Sequence, residues 1–484
     1  MNFVNRAVAE AVLLFALSVY ISSATYKAAV VEFYPDQFHA ANFRVQNNLN
    51  GFEKALDTVH LAGGVDIVVF PEDAILGEAF FSREEIAPYL EAIPEVVSTS
   101  NNKFNPCSDS NFTDRPILQR LSCLARDYHV VLVANMGDTQ PCISNTSKSC
   151  PKDGKYYFNT NVVFESDGTL VAKYHKVNLY AGEARIFNPG SYSNSSCISF
   201  ETSFGVTFGT FTCYDLLFQE PANCLLSKGV KNFVLPTAWG SSYPFYMSVA
   251  VQQGWSRKHS VNFLASNQHF KMTYSTGSGI YSNGVARHYI MSGETWSLAT
   301  GHVVIAELPE DPHQVITNYT QVGNRSDVAD IKAKTNTYLN FTLLQRQDGV
   351  IEVGYQSIND GSDLVCKLEY TIVSTTNEEQ YGLGAYIGTS NDDSKFQFAV
   401  CTLVKCTSSG KCGEPVDGYQ TRTIFKNILL SGTFPYGSEL YATALGNGLK
   451  LLDPTTMAIQ SNSLTVTNYN LPLLAASLWT RVYS

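Results

Sequence analysis

The sequence predicts an α/β domain followed by a smaller, β-rich one, and three observations carry that prediction. Continuous apolar runs alternate with helix-like segments from residue 26 to about 310, the pattern of strands covered on both faces. Strict two-residue alternation takes over further on, as in "LVCKLEYTIV", where Cys366, Leu368, Tyr370 and Ile372 share one face. A polar stretch with Pro309, Pro312 and two glycosylation sequons separates the two patterns. With 484 residues the chain also exceeds what one hydrophobic core usually absorbs. The expected division is 1–24, 25–310, a linker at 311–336, and 337–484.

The elements follow in order. Residues 1–24 read as a signal peptide: Arg6 supplies the basic start, Ala11 to Ile21 the apolar run, and Ser22-Ser23-Ala24 the small-residue cleavage site. That run is about half the length needed to span a bilayer. "YKAAVVEF" is a β-branched strand, followed by Val45, Leu49, Phe52, Leu56 and Val59 at helical spacing, then by "VDIVVFPED" as a second buried strand. "VVLVANMGD", "TNVVFES", "TLVAKYHK", "FGVTFGTFTC", "KNFVLPTAW" and "VNFLASNQ" continue the series. The Ser166-Asp167-Gly168 turn makes a hairpin of the second and third of these. The later domain carries "NFTLLQRQDGVIEVGY" and "FQFAVCTLVKC". The closing stretch "LPLLAASLWTRVYS" is interrupted by Arg481, whereas a lipid anchor wants a longer uninterrupted tail.

Composition narrows the function. Net charge is −10 and no basic stripe occurs, which argues against nucleic acid, whose binding depends on phosphate neutralisation. Sequons at Asn111, Asn145, Asn194, Asn318, Asn324 and Asn340, together with the signal peptide, predict a secreted, extracellular glycoprotein without a transmembrane span. Cysteines pair in that compartment, yet there are eleven, so one stays free or joins another chain. Cys366, Cys401, Cys406 and Cys412 suffice for two bridges among themselves, which leaves the odd thiol among the seven upstream. Parity does not say which. Zinc at Cys401, Cys406 and Cys412 is the competing reading, and it lacks a C-x2-C pair.

The chain has no G-x-S-x-G elbow, H-E-x-x-H, Walker loop or Rossmann fingerprint. What remains is Glu72 after "VDIVVFP", Lys176 after "TLVAKYH" and Cys213 closing "FGVTFGTFT", all at strand ends, where α/β folds gather their chemistry. Singly each has a plain alternative: a helix cap, a solvated lysine, a packed or bridged thiol. Jointly they supply a nucleophile, an ammonium that lowers the thiol pKa and then holds an oxyanion, and a carboxylate for proton transfer. The Tyr214 N–H is a second oxyanion donor. Asp215 is expected to order the nucleophile loop. Strand alternation turns His175 away from Lys176.

"FPED", "YHKVNLYAGE" and "FTCYDLLF", in that order, resemble the Glu-Lys-Cys signatures of the nitrilase superfamily. The resemblance implies an αββα sandwich that cleaves non-peptide C–N bonds through a cysteine thioester. Glu72 is then the general base, Lys176 the charge stabiliser, Cys213 the unpaired nucleophile and Glu183 the support for Lys176. "APYLEAIP", "CPKDGKYYFNTNVVF", "LPTAW", "VNFLASN" and "TGSGIY" are similar to the vanin and biotinidase branch. That branch implies hydrolysis of a secondary amide, pantetheine to pantothenate and cysteamine or else biocytin, with no metal or organic cofactor. Acyl transfer from the same thioester is a variant. Trp239 and Asn267 match segments near the active site in this branch and are candidate substrate contacts, with core packing the alternative for Trp239. The loops after Phe80 and Gln268 depart from the vanin pattern and are expected to shape the pocket. A silent binding glycoprotein on the same fold is the reading from another class.

Overall fold

The computed structural model describes residues 25–77, 82–96, 103–142, 150–180, 182–191, 197–314, 321–336, 338–357, 361–389, 396–467 and 470–483. The signal peptide expected over 1–24 and the sequons at Asn145, Asn194 and Asn318 lie outside these residues.

Two sheets stack face to face. The first has the order β12-β1-β2-β3-β4-β5, built from β1 (Thr25–Tyr34), β2 (Ile67–Val69), β3 (Val131–Pro141), β4 (Lys155–Phe164), β5 (Leu170–His175) and β12 (Thr300–Pro309). The second has the order β13-β11-β10-β9-β8-β7-β6, from β6 (Ser199–Glu201), β7 (Thr207–Thr210), β8 (Asn232–Thr237), β9 (Asn262–Asn267), β10 (Ser278–Ser282), β11 (Val285–Ser292) and β13 (Val322–Ser326). Alternation explains why the strands read as unbroken apolar runs. Ala28, Val30, Ile67, Val69 and Val133 meet Phe208, Val234 and Leu264 between the sheets. Their neighbours Ala29, Val31, Val68 and Leu132 face outward into a helix layer.

Helices cover both outer faces. α1 (Ala41–Leu61) and α2 (Pro116–Asp127) seat Val45, Leu49, Phe52, Leu56, Val59, Leu118 and Leu121 on the first sheet. α3 (Ala222–Ser227) and α4 (Ser248–His259) seat Leu225, Val249 and Trp255 on the second. The layer order is therefore α-β-β-α. All of residues 248–256 are buried, because α4 is covered on its far side by the C-terminal region. At Gly254 an added Cβ would stand 2.6 Å from the Ala442 carbonyl oxygen, so this close approach needs glycine.

That C-terminal region is a β-sandwich of sheets ordered β14-β17-β18-β24-β20-β21 and β15-β16-β19-β23-β22. Its strands are β14 (Asn340–Leu343), β15 (Gly349–Gln356), β16 (Asp363–Ser374), β17 (Tyr381–Thr389), β18 (Gln397–Lys405), β19 (Ile424–Gly432), β20 (Tyr441–Gly446), β21 (Lys450–Leu451), β22 (Met457–Gln460), β23 (Ser463–Thr467) and β24 (Leu473–Val482). Cys366 on β16 and Cys401 on β18 join the two sheets, and Cys406 pairs with Cys412. These bridges exclude the zinc reading of Cys401, Cys406 and Cys412. The apolar stretch near the C-terminus is β24, paired on both sides with β18 and β20; burial accounts for its composition. Residues 322–326 form β13, which pairs with β11 as the edge of the second sheet.

Candidate active site

Glu72, Lys176 and Cys213 come from three different strand ends and meet at one point. Lys176 Nζ donates to Glu72 Oε1 at 2.6 Å and to Glu183 Oε2 at 2.6 Å. Glu72 Oε2 accepts the Ala238 N–H at 3.1 Å, and the Gln268 amide holds the Glu72 carbonyl at 2.8 Å. No helix begins at Asp73; residues 72–76 form a turn, so Glu72 is not a cap. Glu183 Oε2 also accepts the Tyr180 N–H at 2.6 Å.

Cys213 follows β7 and opens the tight helical turn Cys213–Leu217. Its φ of +41° lies in the left-handed region, rare for a side chain with a Cβ. Asp215 secures that turn: Oδ2 accepts from the Thr212 N–H at 3.0 Å and the Tyr174 hydroxyl at 2.6 Å. Its Oδ1 accepts from the Asn178 N–H and the Asn178 side-chain amide, both at 2.8 Å. Burial pushes the Asp215 carboxyl up to about 6 against these donors.

Lys176 pulls the Cys213 pKa down, but the thiol as a whole is pushed well above its ordinary value. Burial is the largest cause and the Glu72 carboxylate adds to it, and Lys176 offsets only part. Lys176 itself is pushed up, because Glu183, Glu72 and Cys213 together outweigh the effect of its burial. Burial, with Glu72 nearby, likewise raises Glu183 against the pull of Lys176. The resting pocket thus holds a neutral thiol beside an ammonium–carboxylate cluster.

The remaining cysteines upstream are paired as 107–123, 142–150 and 197–224. Among the described residues Cys213 is the free one. It opens into a cavity of about 570 Å³, within the range of small-molecule sites. Tyr180, Tyr214, Trp239 and Tyr246 supply part of the wall, and Phe396 and Phe398 reach in from the C-terminal sandwich.

The carbon-nitrogen hydrolase family matches residues 27–262, and the vanin C-terminal domain matches residues 331–484. The pantetheinase of Homo sapiens is 36% identical over 444 residues, 88% of this chain and 82% of that protein. The biotinidase of Takifugu rubripes is 34% identical over 470 residues, 91% of this chain and 89% of that protein. The chain belongs to the vanin and biotinidase branch of the carbon-nitrogen hydrolases. Among solved structures, Nit3 of Saccharomyces cerevisiae superposes with a TM-score of 0.43 at 20% identity, over 60% of this chain and 92% of that one.

As a member of that family the chain is a C–N amide hydrolase, and its other predicted site residues fall as follows. Trp239 lines the cavity, its ring stacked on Tyr246 with centroids 5.4 Å apart. Asn267 does not reach the cavity. It is fully buried, with Oδ1 accepting the Trp239 N–H at 2.7 Å and its amide donating to the Trp239 carbonyl at 3.2 Å. It therefore clamps the backbone that presents Trp239. His175 points away, bonded to Asp138 at 2.7 Å and stacked on Phe158. The loop after Gln268 contributes Met272, Thr273 and Tyr274 to the wall. After Phe80, Ile86 lines the cavity, and Phe81 lies outside the described residues.

Two contributions were missed in the sequence. Phe396 and Phe398 belong to the other domain, and no local signal ties them to Cys213. Asn159 on β4 donates to Glu72 Oε1 at 2.9 Å and to Glu183 Oε1 at 2.8 Å. Its one sequence cue is that it opens the buried polar run Asn159-Thr160-Asn161 inside a strand that is otherwise largely apolar.

Proposed function

We propose that the enzyme hydrolyses pantetheine to pantothenate and cysteamine, with Cys213 as nucleophile, Glu72 as proton-transfer group, Lys176 as oxyanion stabiliser and Glu183 as the support of Lys176. The observation that carries this reading is the free thiol of Cys213 in one cavity with the Glu72–Lys176–Glu183 cluster. Pantetheine is the substrate named by relatives at about the 35% identity level, such as that of Sus scrofa at 35% over 83% of this chain.

The chemistry follows from the charges. Because the thiol is neutral at rest, its proton leaves as Sγ attacks the amide carbon. Glu72 Oε1 already accepts from Lys176 and Asn159, whereas Oε2 holds the Ala238 N–H alone among the described donors. Oε2 is thus the oxygen that takes the proton. Two of the three Lys176 N–H bonds are committed to carboxylates, and the third, with the Tyr214 N–H, holds the oxyanion. Glu72 then returns the proton to the departing amine nitrogen, leaving a thioester on Cys213. It next deprotonates the water that cleaves the thioester, and the proton returns to Sγ as the acid departs. Neither step requires a metal or organic cofactor.

A second reading, hydrolysis of biocytin, is favoured by the biotinidase relatives. Secretion with glycans on Asn111, Asn324 and Asn340, all exposed, belongs to the same proposal, as does the division into units 25–310 and 337–484. Cysteamine and lysine release from pantetheine and biocytin, for the native enzyme and Cys213→Ala, is the test. Cysteamine release abolished by the substitution is the expected result. Lysine release alone moves the substrate to biocytin, and cleavage that persists in Cys213→Ala overturns the mechanism.

A further inference from the structure

Three buried asparagines lie between the site's carboxylates and the strand that delivers Cys213. Asn135 on β3, with Asn159 and Asn161 on β4, are each no more than 1% exposed. Partners that act in only one sense fix how each amide is turned. The Asn159 nitrogen faces two carboxylate oxygens, of Glu72 at 2.9 Å and Glu183 at 2.8 Å. The Asn135 oxygen faces the backbone N–H of Asp73 at 3.0 Å. The Asn161 nitrogen faces the carbonyl of Phe211 at 3.3 Å and the Thr210 hydroxyl at 3.0 Å. The two N–H bonds of Asn135 then go to the oxygens of Asn159 at 2.6 Å and Asn161 at 2.9 Å. Every donor and acceptor of the three amides is used, and the chain of bonds runs from the Glu72 turn across both sheets to Phe211, two residues before Cys213.

We infer that Asn159, braced by Asn135 and Asn161, is a positioning residue of the hydrolytic reaction. One amide nitrogen fixes Glu72 and Glu183 about Lys176 and ties both to the nucleophile's strand. The inference rests on Glu72 being the proton-transfer group. Two carboxylates and one ammonium leave the buried cluster one negative charge in excess, and carboxylates this close repel one another. Neutral N–H donors offset the repulsion without a second positive charge, which would compete for the proton-accepting oxygen. A fully satisfied amide network is also rigid, so it holds Glu72 to a fraction of an ångström at the point where proton transfer needs it.

The test compares Asn159→Ser and Asn159→Asp with the native enzyme, with Glu72→Gln and Cys213→Ala as references, measuring kcat, KM and thermal unfolding. Both Asn159 variants are expected to unfold cooperatively and to lose roughly a hundredfold in kcat, with KM changed by less than about threefold. If the references retain activity, the reading of Glu72 and Cys213 fails before Asn159 is considered. If the references are inactive while either Asn159 variant keeps kcat within about threefold of native, that reading stands and the inference is overturned. A rise in KM at unchanged kcat overturns it, as does loss of cooperative unfolding in both variants, which would make Asn159 a brace of the fold alone.

Discussion

Lys176 and Glu72 form a 2.6 Å ion pair in which the two side chains are 1% and 2% exposed. Neither charge is stable there without the other, because water no longer solvates them. Lys176→Met leaves Glu72 and Glu183 facing each other with no counterion. Breaking a buried pair in this way costs on the order of 3–5 kcal/mol. The expected result is a marked fall in melting temperature together with loss of amide hydrolysis, read by calorimetry and amine release. Unchanged melting would mean that water reaches the pair.

The thiol's protonation state gives a second test. Burial and the Glu72 carboxylate raise the Cys213 pKa, and Lys176 lowers it. Native alkylation by iodoacetamide should therefore climb with pH and show no plateau below about pH 9, unlike a preformed thiolate. Glu72→Gln removes a raising charge and should speed alkylation at neutral pH, while Lys176→Met should slow it. A plateau near pH 6 in the native enzyme would show a resting thiolate and contradict this account.

These two tests concern the part of the site that was legible in the sequence. Glu72, Lys176 and Cys213 each stand just past an apolar run, so a strand end and a chemical residue type coincide within a few positions. Asp215 and His175 were readable for the same local reason. Asn159 was not, since its partners Glu72 and Glu183 lie 87 and 24 residues away and only the β2-β3-β4-β5 order of the first sheet brings them together. Asn267 misled because a polar residue at a strand end aims either at a cavity or at backbone, and only the fold of the Trp239 turn decides. The edge strand β13 escaped because "VGNRS" is exposed or half-buried throughout and carries no apolar alternation. Sheets buried on both faces followed from the unbroken apolar strands, whereas the αββα layering came from the resemblance of the Glu-Lys-Cys motifs to the nitrilase superfamily.

Phe396 tests whether the C-terminal sandwich takes part in substrate choice. Its ring centroid lies 6.1 Å from Tyr214 and 6.0 Å from Tyr246, closing an aromatic wall begun by the other domain. It lines the cavity, and its ring contacts are with Tyr214, Tyr246 and Phe398. Phe396→Ala removes apolar area from binding without touching proton transfer. About a tenfold rise in KM with kcat within about threefold is expected. Steady-state kinetics on pantetheine and biocytin measures it; equal KM values for native and variant enzyme on both would exclude this wall from recognition.

His259 tests the seam between the domains. It ends α4 against Tyr441 of β20, with Glu439 at 3.7 Å and the Trp255 ring tilted against its own, centroids 4.6 Å apart. Burial, with Lys258 adding to it, depresses its pKa from 6.5 to about 4. A base with a depressed folded pKa protonates more readily in the unfolded chain. Its contribution is therefore complete above pH 6.5 and is lost as pH falls toward 4. The loss amounts to about 3 kcal/mol at most. Over that window the native protein should lose melting temperature relative to His259→Leu, which cannot titrate at this position. Parallel curves for the two proteins from pH 7 to about pH 4 would show that other groups govern acid sensitivity and that this imidazole finds water when it is charged.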